Sequence, residues 1–323
     1  MEHIERESPE HSDVYEAGLS EEELFHRKWD AIVVGGGSIG MWSALYLARG
    51  GARVLLVDGS EASGSCSEAS AGLLVPSRCK PLPAPGRIRE GVGGLFGVPG
   101  STLDLGPGMD PDLWAWLARF ALNCRRSRFE DGSRVLREMG RRSLELMEAE
   151  LAGLEEEILP SGEGILFPYY DRGHWIRAVR EVRNGASSKE QARVLSAREA
   201  REAEPGLDPA VLGAVLQTAD RRIEPERLHD WLEGALQREG VPRLIRTRIY
   251  ALDTGPEGDV ELVRTTRGAL RAGQVLLAAG AGTGDILRSM GSWLPIRSGA
   301  GWSVSFGEAA VGPRRGLLLE EAR

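Results

Sequence analysis

The most distinct hydrophobic pattern in the chain begins with a short apolar run at residues 31–34 (AIVV), which is rich in β-branched side chains. Such a run is typical of a strand that is buried on both faces. Residues 41–49 (MWSALYLAR) have helical composition and stop at Gly50-Gly51, a favourable C-terminal cap. A second apolar run at residues 52–57 (ARVLLV) predicts another strand. The pattern therefore predicts a β-α-β unit.

Helical spacing of apolar residues dominates the middle of the chain. Residues 110–124 (DPDLWAWLARFALNC) repeat apolar side chains at helical intervals, and Pro111 suits the first helical position. Residues 132–158 form a second long amphipathic stretch. We interpret its apolar stripe as core rather than as a cofactor contact, and the stripe consists of Leu136, Met139, Ser143, Leu146 and Met147.

Strands and shorter helices alternate in the rest of the chain. Residues 164–170 (GILFPYY) resemble a strand, and residues 198–207 predict a short helix. Residues 225–240 (PERLHDWLEGALQREG) predict another helix, on which we interpret His229 as a surface or half-buried residue. Two β-rich runs, LIRTRIYAL and VELVRTT, are separated by the turn TGPEGD and predict a hairpin.

The glycine cluster after the first strand has the spacing G-x-G-x-x-G, with Gly35, Gly37 and Gly40. The first glycine permits a tight turn, the second lets the backbone approach a pyrophosphate, and the third lets helix and sheet pack closely. The helix N-terminus, at Ser38 and Ile39, offers free N–H groups to phosphates. Asp58 ends the second strand, where a carboxylate can accept hydrogen bonds from ribose hydroxyls. The alternative, a flexible loop without function, explains neither the strand nor the acid.

Far downstream, a second predicted strand is followed by a run of small residues. Residues 275–278 predict a buried strand, and residues 279–282 (AGAG) then lead into a helix. Small residues at such a point let the backbone pass close to a bound cofactor. A nicotinamide dehydrogenase usually needs only the first motif, so the pair of motifs favours a flavin-binding domain built from separated segments.

Composition and charge exclude several classes of protein. The 323 residues carry a formal net charge of −8, with a pI near 5.4 and no evident basic face, which argues against a nucleic-acid partner. The three cysteines lack metal-type spacing and suggest a reducing compartment, and we expect no metal site. The first 28 residues are acidic and polar, so we expect no signal peptide, and no apolar run is long enough to span a membrane. We expect a cytoplasmic location, with peripheral attachment at the inner face of the membrane as the alternative.

Together these segments resemble the FAD-dependent D-amino-acid oxidase-like (DAO) superfamily, and within it are most similar to bacterial D-amino-acid dehydrogenases. The resemblance is carried by the β-α-β unit, by SCSEASAGLLVPS and by DPDLWAWLARFALNC, followed downstream by VLLAAGAGTGDIL. It implies an α/β fold: a Rossmann-like, glutathione-reductase-like FAD-binding domain built from discontinuous segments, with a second α+β substrate domain.

The resemblance also implies FAD as the cofactor and a set of positions near it. The residues implied are Gly35, Gly37, Ser38, Ile39, Gly40, Asp58, Ser67, Ala71, Gly72, Leu73, Ile249, Ala279 and Gly280. Ile249 matches the position whose backbone meets the adenine, and Ala279 with Gly280 matches the turn beneath the pyrophosphate. No catalytic acid or base is identified. Tyr169, Tyr170, Arg297 and Trp302 are candidate pocket residues, and each is equally compatible with a structural role.

The expected domain organisation has three parts. Residues 1–28 are a disordered acidic extension. Residues 29–80 and 220–290 form the FAD-binding domain, and residues 81–219 and 291–323 form the substrate domain. The family pattern continues beyond Arg323, so we expect the substrate domain to be incomplete at its C-terminal end.

The chemistry implied is oxidation of the amine of a D-amino acid to the imino acid, and then the keto acid, by hydride transfer to flavin. The electron acceptor would be a quinone or oxygen. Two alternatives remain. One is an FAD-binding subunit or truncated remnant that needs a partner chain to complete its site. The other is an oxidase or dehydrogenase of glycine, sarcosine, proline or a 2-hydroxy acid.

Overall fold

A computed structural model of the chain describes residues 14–15, 19–60, 66–86, 88, 111–153, 158, 164–184, 191–299, 304 and 312–319. The chain forms two compact units. Unit 1 comprises residues 1–70 and 225–303, and unit 2 comprises residues 71–224 and 304–323. These boundaries differ by several residues from those expected for the two domains, and the assignment of a function to each domain stays a prediction.

The helices and strands of the described residues are numbered along the chain. The strands are β1 (Val14–Tyr15), β2 (Lys28–Val34), β3 (Val54–Val57), β4 (Leu73–Leu74), β5 (Ile165–Tyr169), β6 (Ala192–Ser196), β7 (Gly213–Gln217), β8 (Arg221–Arg222), β9 (Arg243–Leu244), β10 (Ile249–Thr254), β11 (Val260–Thr265), β12 (Gly268–Leu277) and β13 (Gly316–Leu317). The helices are α1 (Glu21–His26), α2 (Ser38–Arg49), α3 (Pro111–Asn123), α4 (Arg126–Glu150), α5 (Arg172–Arg183), α6 (Ala197–Ala203), α7 (Pro225–Arg238) and α8 (Thr283–Ser289).

Unit 1 is built on a seven-stranded sheet in the order β1-β9-β3-β2-β12-β11-β10. Its centre is parallel, with β2 between β3 and β12, so that Ile32 pairs with both Leu55 and Val275. The last four residues of β2 and all four of β3 are buried, as expected for parallel strands covered on both faces. Strands β10 and β11 form the predicted hairpin. Helix α2 packs against β3 and α7.

Unit 2 contains a four-stranded sheet in the order β13-β5-β7-β6 and a two-stranded sheet of β4 and β8. One face of β5 and β7 carries Ile165, Phe167 and Val215 into an apolar cluster, and the other face packs against α6. Asp220, just after β7, is fully buried, and its carboxylate accepts hydrogen bonds from the backbone N–H and the hydroxyl of Ser77. Burial raises the pKa of Asp220, against the opposing hydrogen bonds from Ser77.

The expectation that residues 1–28 lie outside the main fold is wrong for its C-terminal part. Helix α1 begins with a capping box in which Ser20 and Glu23 bond reciprocally, a signal present in the sequence as S-E-E-E. Leu24 is completely buried in the core of unit 1, and its carbonyl oxygen accepts a hydrogen bond from the Trp29 indole N–H at 3.1 Å. Strand β1 pairs with β9. Residues 1–13 and 16–18 lie outside the described residues.

The apolar stripe expected on α4 is also not core. Met139 is 61% exposed and Leu146 is 40% exposed. The helix instead approaches residues 76–81 through its small residues: a Cβ on Gly132 would lie 2.7 Å from Pro81 Cγ, and one on Gly140 would lie 2.9 Å from Cys79 Sγ. Close approach by glycine fixes the packed face of this helix, and hydrophobic spacing alone did not reveal it.

The remaining elements follow the sequence. The predicted helices appear as α2, α3, α6 and α7, the run GILFPYY contains β5, and AGAG leads through a short 3-10 turn into α8. The α/β fold class is confirmed. Among the described residues, no helix combines the length and the apolar character needed to cross a bilayer.

We predict that α1 is an integral part of unit 1. Leu24→Ala should lower the free energy of unfolding by about 2–5 kcal/mol, because it leaves a cavity in a packed core. Urea denaturation measures this loss. Glu22→Ala, an exposed change on the same helix, is the control and should change stability by less than about 0.5 kcal/mol. Equal effects of the two substitutions would contradict the prediction.

Candidate functional site: a dinucleotide-binding turn

The turn after β2 adopts a conformation that only glycine reaches easily. Gly35 has a φ of +110°, and its N–H donates to the carbonyl oxygen of Val57 at 2.8 Å. A Cβ at Gly35 would lie 2.5 Å from the carbonyl oxygen of Ala278, which follows β12. The turn is therefore held between the ends of β3 and β12, as the first glycine of the motif requires.

Gly40 sets the distance between helix and strand. A Cβ at Gly40 would lie 1.8 Å from the carbonyl oxygen of Gly35, so no side chain fits. Helix α2 consequently starts directly over the end of β2, which confirms the close helix–strand approach expected of the third glycine.

The N-terminus of α2 is open toward solvent. Its N-cap residue, Gly37, has no side chain to cap the helix, and a Cβ there would meet only Ser67 Oγ, at 3.1 Å. The backbone N–H of Ser38 donates to Ser67 Oγ at 3.1 Å. Ile39, the next residue, is 75% exposed. The first N–H groups of a helix have no intrahelical acceptor, and the helix dipole favours anions at this end.

Asp58, just after β3, stabilises the glycine turn through hydrogen bonds. Its carboxylate accepts a hydrogen bond from the N–H of Gly36 at 2.9 Å, and another from the N–H of Ser60 at 3.1 Å. A Cβ at Gly36 would lie 2.3 Å from the same carboxylate, so the middle glycine of GGG is also required. Gly36 is not one of the three glycines of the G-x-G-x-x-G spacing, so the motif alone does not indicate this role. A carboxylate has about four acceptor positions, so these two bonds leave capacity for ribose hydroxyls.

The second small-residue segment lies beside the first. Val34 accepts a hydrogen bond from the N–H of Ala278 at 2.7 Å, which places residues 278–280 next to the glycine turn. Gly280 has a φ of +54°, and no atom lies within 4 Å of a Cβ built there. The ends of β2 and β12, which are far apart in the sequence, thus lie next to each other in unit 1.

Ile249 begins β10, and its side chain is buried in the core of unit 1. The neighbouring Thr247 donates its backbone N–H to the carbonyl oxygen of Asp58 at 2.8 Å. The segment before β10 is therefore tied to the end of β3. The side chain of Ile249 therefore belongs to the core, and the backbone role that the resemblance implies stays a prediction.

The other three implied cofactor residues belong to unit 2. Gly72 has a φ of +64°, and its carbonyl oxygen accepts a hydrogen bond from Ile223 at 2.7 Å. Ala71 is exposed, and Leu73 begins β4. Among the candidate pocket residues, Tyr169 is buried on β5 of unit 2, whereas Arg297 is exposed in unit 1. Trp302 lies outside the described residues.

His229 is buried rather than half-exposed, and it belongs to a charged cluster. Its Nε2 lies 3.3 Å from Glu233 Oε1 and 3.8 Å from Glu68 Oε1, and Arg243 Nη1 lies 2.5 Å from Glu233 Oε1. The contact with Glu233 raises the pKa of His229 above its ordinary value, with support from Glu68 and against burial and Arg243. Burial alone would raise the pKa of Glu233, but His229 and Arg243 outweigh it and lower that pKa. Glu68 follows Ser67, so this cluster connects α7 to the segment that contacts α2.

These features fit the pyrophosphate and ribose of a dinucleotide. The chain offers a helix N-terminus whose N-cap residue, Gly37, has no side chain. It also offers a carboxylate just after β3 and open space beside Gly280. Dinucleotide-binding α/β folds combine a glycine turn, a helix N-terminus and a strand-end carboxylate in this way, and contact of these residues with a cofactor stays a prediction.

Comparison with known proteins agrees with this geometry. The family described as FAD dependent oxidoreductase (DAO) matches residues 30–317. A D-amino acid dehydrogenase of Paramagnetospirillum magneticum is 29% identical over 286 residues, which cover 85% of this chain and 66% of that protein. A D-amino-acid oxidase of Bradyrhizobium diazoefficiens is 28% identical over 306 residues, covering 90% of this chain and 69% of that protein.

Solved structures show the same fold. Glycine oxidase from Geobacillus kaustophilus superimposes with a TM-score of 0.58 at 20% identity, covering 82% of this chain and 58% of that structure. The chain thus spans about two thirds of the length of the curated relatives and little more than half of this structure.

We predict that Gly37 and Gly40 respond differently to alanine. Gly37→Ala should change the free energy of unfolding by no more than about 1 kcal/mol, because Gly37 has an ordinary φ of −72° and its methyl would meet only the mobile end of Ser67. It should weaken FAD binding by about 1–3 kcal/mol, the usual cost of an extra methyl group in a packed contact. Gly40→Ala should destabilise the fold itself by about 1–3 kcal/mol or more. Urea denaturation and titration of flavin fluorescence separate these effects, and a stable Gly40→Ala protein would contradict the assignment.

The His229 cluster should make stability depend on pH. Because the folded pKa of His229 is raised above 6.5, its stabilising contribution is complete below that value and is lost as the pH rises through the folded pKa. The stability difference between wild type and His229→Gln, measured by urea denaturation between about pH 5 and 9, should therefore shrink with rising pH. Asp230→Asn, an exposed change on the same helix, should keep the wild-type profile. A difference that grows with pH would refute the cluster's role.

Proposed function

The chain belongs to the DAO family of FAD-dependent oxidoreductases, and on that premise we propose that it oxidises the amine of a D-amino acid to the imino acid, which hydrolyses to the keto acid. The single observation that supports this most strongly is that the glycine turn after β2, which is bonded to Asp58, meets the small-residue end of β12 at Ala278. FAD, when bound, supplies the group that accepts the hydride from the substrate's α-carbon.

The residues of the chain itself would bind and orient FAD. The N–H groups at the start of α2, from Ser38 onward, would hold the pyrophosphate, and Gly37 allows the backbone to come close to it. Asp58 would accept hydrogen bonds from the ribose hydroxyls while it keeps its bonds to Gly36 and Ser60. Ser67, Ala279, Gly280 and the backbone of Ile249 are proposed contacts of the same cofactor, together with Ala71, Gly72 and Leu73 of unit 2.

The substrate class is inferred from the relatives. The two proteins compared in sequence are named for D-amino acids, whereas the structural neighbours include a glycine oxidase and an L-proline dehydrogenase. An oxidase or dehydrogenase of glycine, sarcosine, proline or a 2-hydroxy acid is therefore the alternative within the same chemistry. A quinone and oxygen are the two proposed electron acceptors.

The test is reduction of bound flavin by substrate. The 323-residue chain is saturated with FAD, freed of excess and mixed without oxygen with D-alanine, D-proline, glycine, sarcosine, L-proline and a 2-hydroxy acid in turn. We expect the visible flavin absorbance to fall with the D-amino acids, and turnover on the order of 1–1000 per second when a quinone or oxygen is supplied. L-Alanine is the matched control and should leave the absorbance unchanged.

Two outcomes would contradict the proposal. Reduction only by glycine, sarcosine, L-proline or the 2-hydroxy acid would replace the substrate class. Bound FAD that none of these compounds reduces would favour the other candidate, a chain that holds FAD and requires a partner polypeptide for turnover.

A further inference from the structure

A turn at residues 66–70 lies between the start of α2 and a buried histidine on α7. Within this turn, Ser67 Oγ accepts the backbone N–H of Ser38 at 3.1 Å, in the first turn of α2. The next residue, Glu68, has its Oε1 atom 3.8 Å from Nε2 of His229. All of these residues belong to unit 1. The turn that contacts the N-terminus of α2 is therefore linked to α7 through an imidazole that can gain or lose a charge.

The surroundings of His229 favour its protonated form. The residue is only 7% exposed, and its Nε2 also lies 3.3 Å from Oε1 of Glu233, one turn later on α7. Arg243 on β9 approaches the same oxygen of Glu233 at 2.5 Å. The contact with Glu233 and the charge of Glu68 raise the pKa of His229, against the opposing effects of burial and Arg243.

Helix α2 packs against α7 but adds no charge to this cluster. The sole charged residue of α2 is Arg49, which pairs at 3.3 Å with Glu239, just beyond the C-terminal end of α7. The carboxylates of Glu68 and Glu233 are thus balanced by the guanidinium from β9 and the protonated imidazole. Loss of the imidazole proton leaves one negative charge in excess in a largely buried site, where charges interact more strongly than in water.

The two carboxylates respond differently to that loss. Glu233 keeps the guanidinium of Arg243, whereas Glu68 loses the attraction of the imidazolium and stays near a second carboxylate. The turn at residues 66–70 is then held less strongly against α7. The hydroxyl of Ser67 is consequently held less firmly at the first N–H groups of α2, where the pyrophosphate of FAD is expected to bind.

We propose that Glu68 and His229 are positioning residues for FAD, which hold Ser67 at the N-terminus of α2 while the imidazole is protonated. FAD affinity then falls as the pH rises through the folded pKa of His229. By linkage, bound FAD raises that pKa, because the cofactor stabilises the protonated arrangement. The inference rests on the proposed function only for the binding of FAD at the glycine turn, and it does not require oxidation of a D-amino acid.

Titration of the 323-residue chain with FAD, followed by flavin fluorescence between about pH 6 and 9, tests this coupling. The dissociation constant of the wild type should rise by about 5-fold or more over this range, as is usual for coupled sites. His229→Gln removes the titrating group and should give a nearly flat profile, at the weak affinity of the wild type at high pH. Glu68→Gln removes the link at a partly exposed position and should also give a flat profile. Asp230→Asn is the matched control, since its side chain is exposed on the same helix, and it should keep the wild-type profile.

NMR titration of the histidine ring protons measures the pKa of His229 directly, with and without FAD. This measurement on the wild type remains available if His229→Gln does not fold. Bound FAD should shift the pKa of His229 upward, a change that a purely structural role for the cluster would not produce.

A flat wild-type profile would overturn the proposal, as would a pH dependence that Glu68→Gln or His229→Gln leaves unchanged. A pKa of His229 that FAD does not raise would overturn it too. Flavin reduction by D-amino acids together with a flat profile would support the proposed function and refute this coupling. A chain that binds no FAD at any pH would overturn both.

Discussion

The carbonyl oxygen of Gly35 stands where a side chain at Gly40 would begin, 1.8 Å from the ideal Cβ position. This contact determines how α2 leaves β2, and thereby where the helix N-terminus points. The same peptide is confined on its other side by Ala278 at the end of β12. The relative positions of β2, α2 and the end of β12 are thus fixed by a backbone contact that leaves no room for a side chain at Gly40. The position of the helix N-terminus follows from that contact.

Each unit contains an aspartate near a strand end that holds a neighbouring turn by its backbone. Asp58 binds the N–H groups of Gly36 and Ser60 in unit 1, and Asp220 binds Ser77 in unit 2. A carboxylate can accept several N–H bonds at once, which makes it an effective anchor for chain segments that lack regular structure. In unit 2 the anchored segment, residues 77–80, lines a cavity beside the four-stranded sheet. The shape of that cavity depends on Asp220, which does not itself line it.

Local patterns in the sequence predicted most of unit 1. The apolar run at residues 31–34, the glycine spacing and the acid at the end of β3 are signals that lie close together, and the structure confirms the β-α-β unit they indicate. The packing of α4 was not predictable, because its contacts come from Gly132 and Gly140 and depend on Pro81 and Cys79, distant in sequence. The burial of His229 was likewise not predictable, because its partners Glu68 and Arg243 lie outside α7. The capping box at Ser20 and Glu23 was a readable local signal that the composition of the acidic segment obscured.

The pairing of Ile32 with Val275 has a consequence for how the protein is made. During synthesis β2 and β3 leave the ribosome long before β12, so the nascent β-α-β unit waits with one edge of β2 unpaired. Contacts between residues so far apart in sequence also slow folding, because a large loop must close before they form. The exposed edge of an apolar parallel strand is a template for pairing with other chains. Unit 1 is therefore most vulnerable to aggregation during translation, before β12 is available to pair with β2.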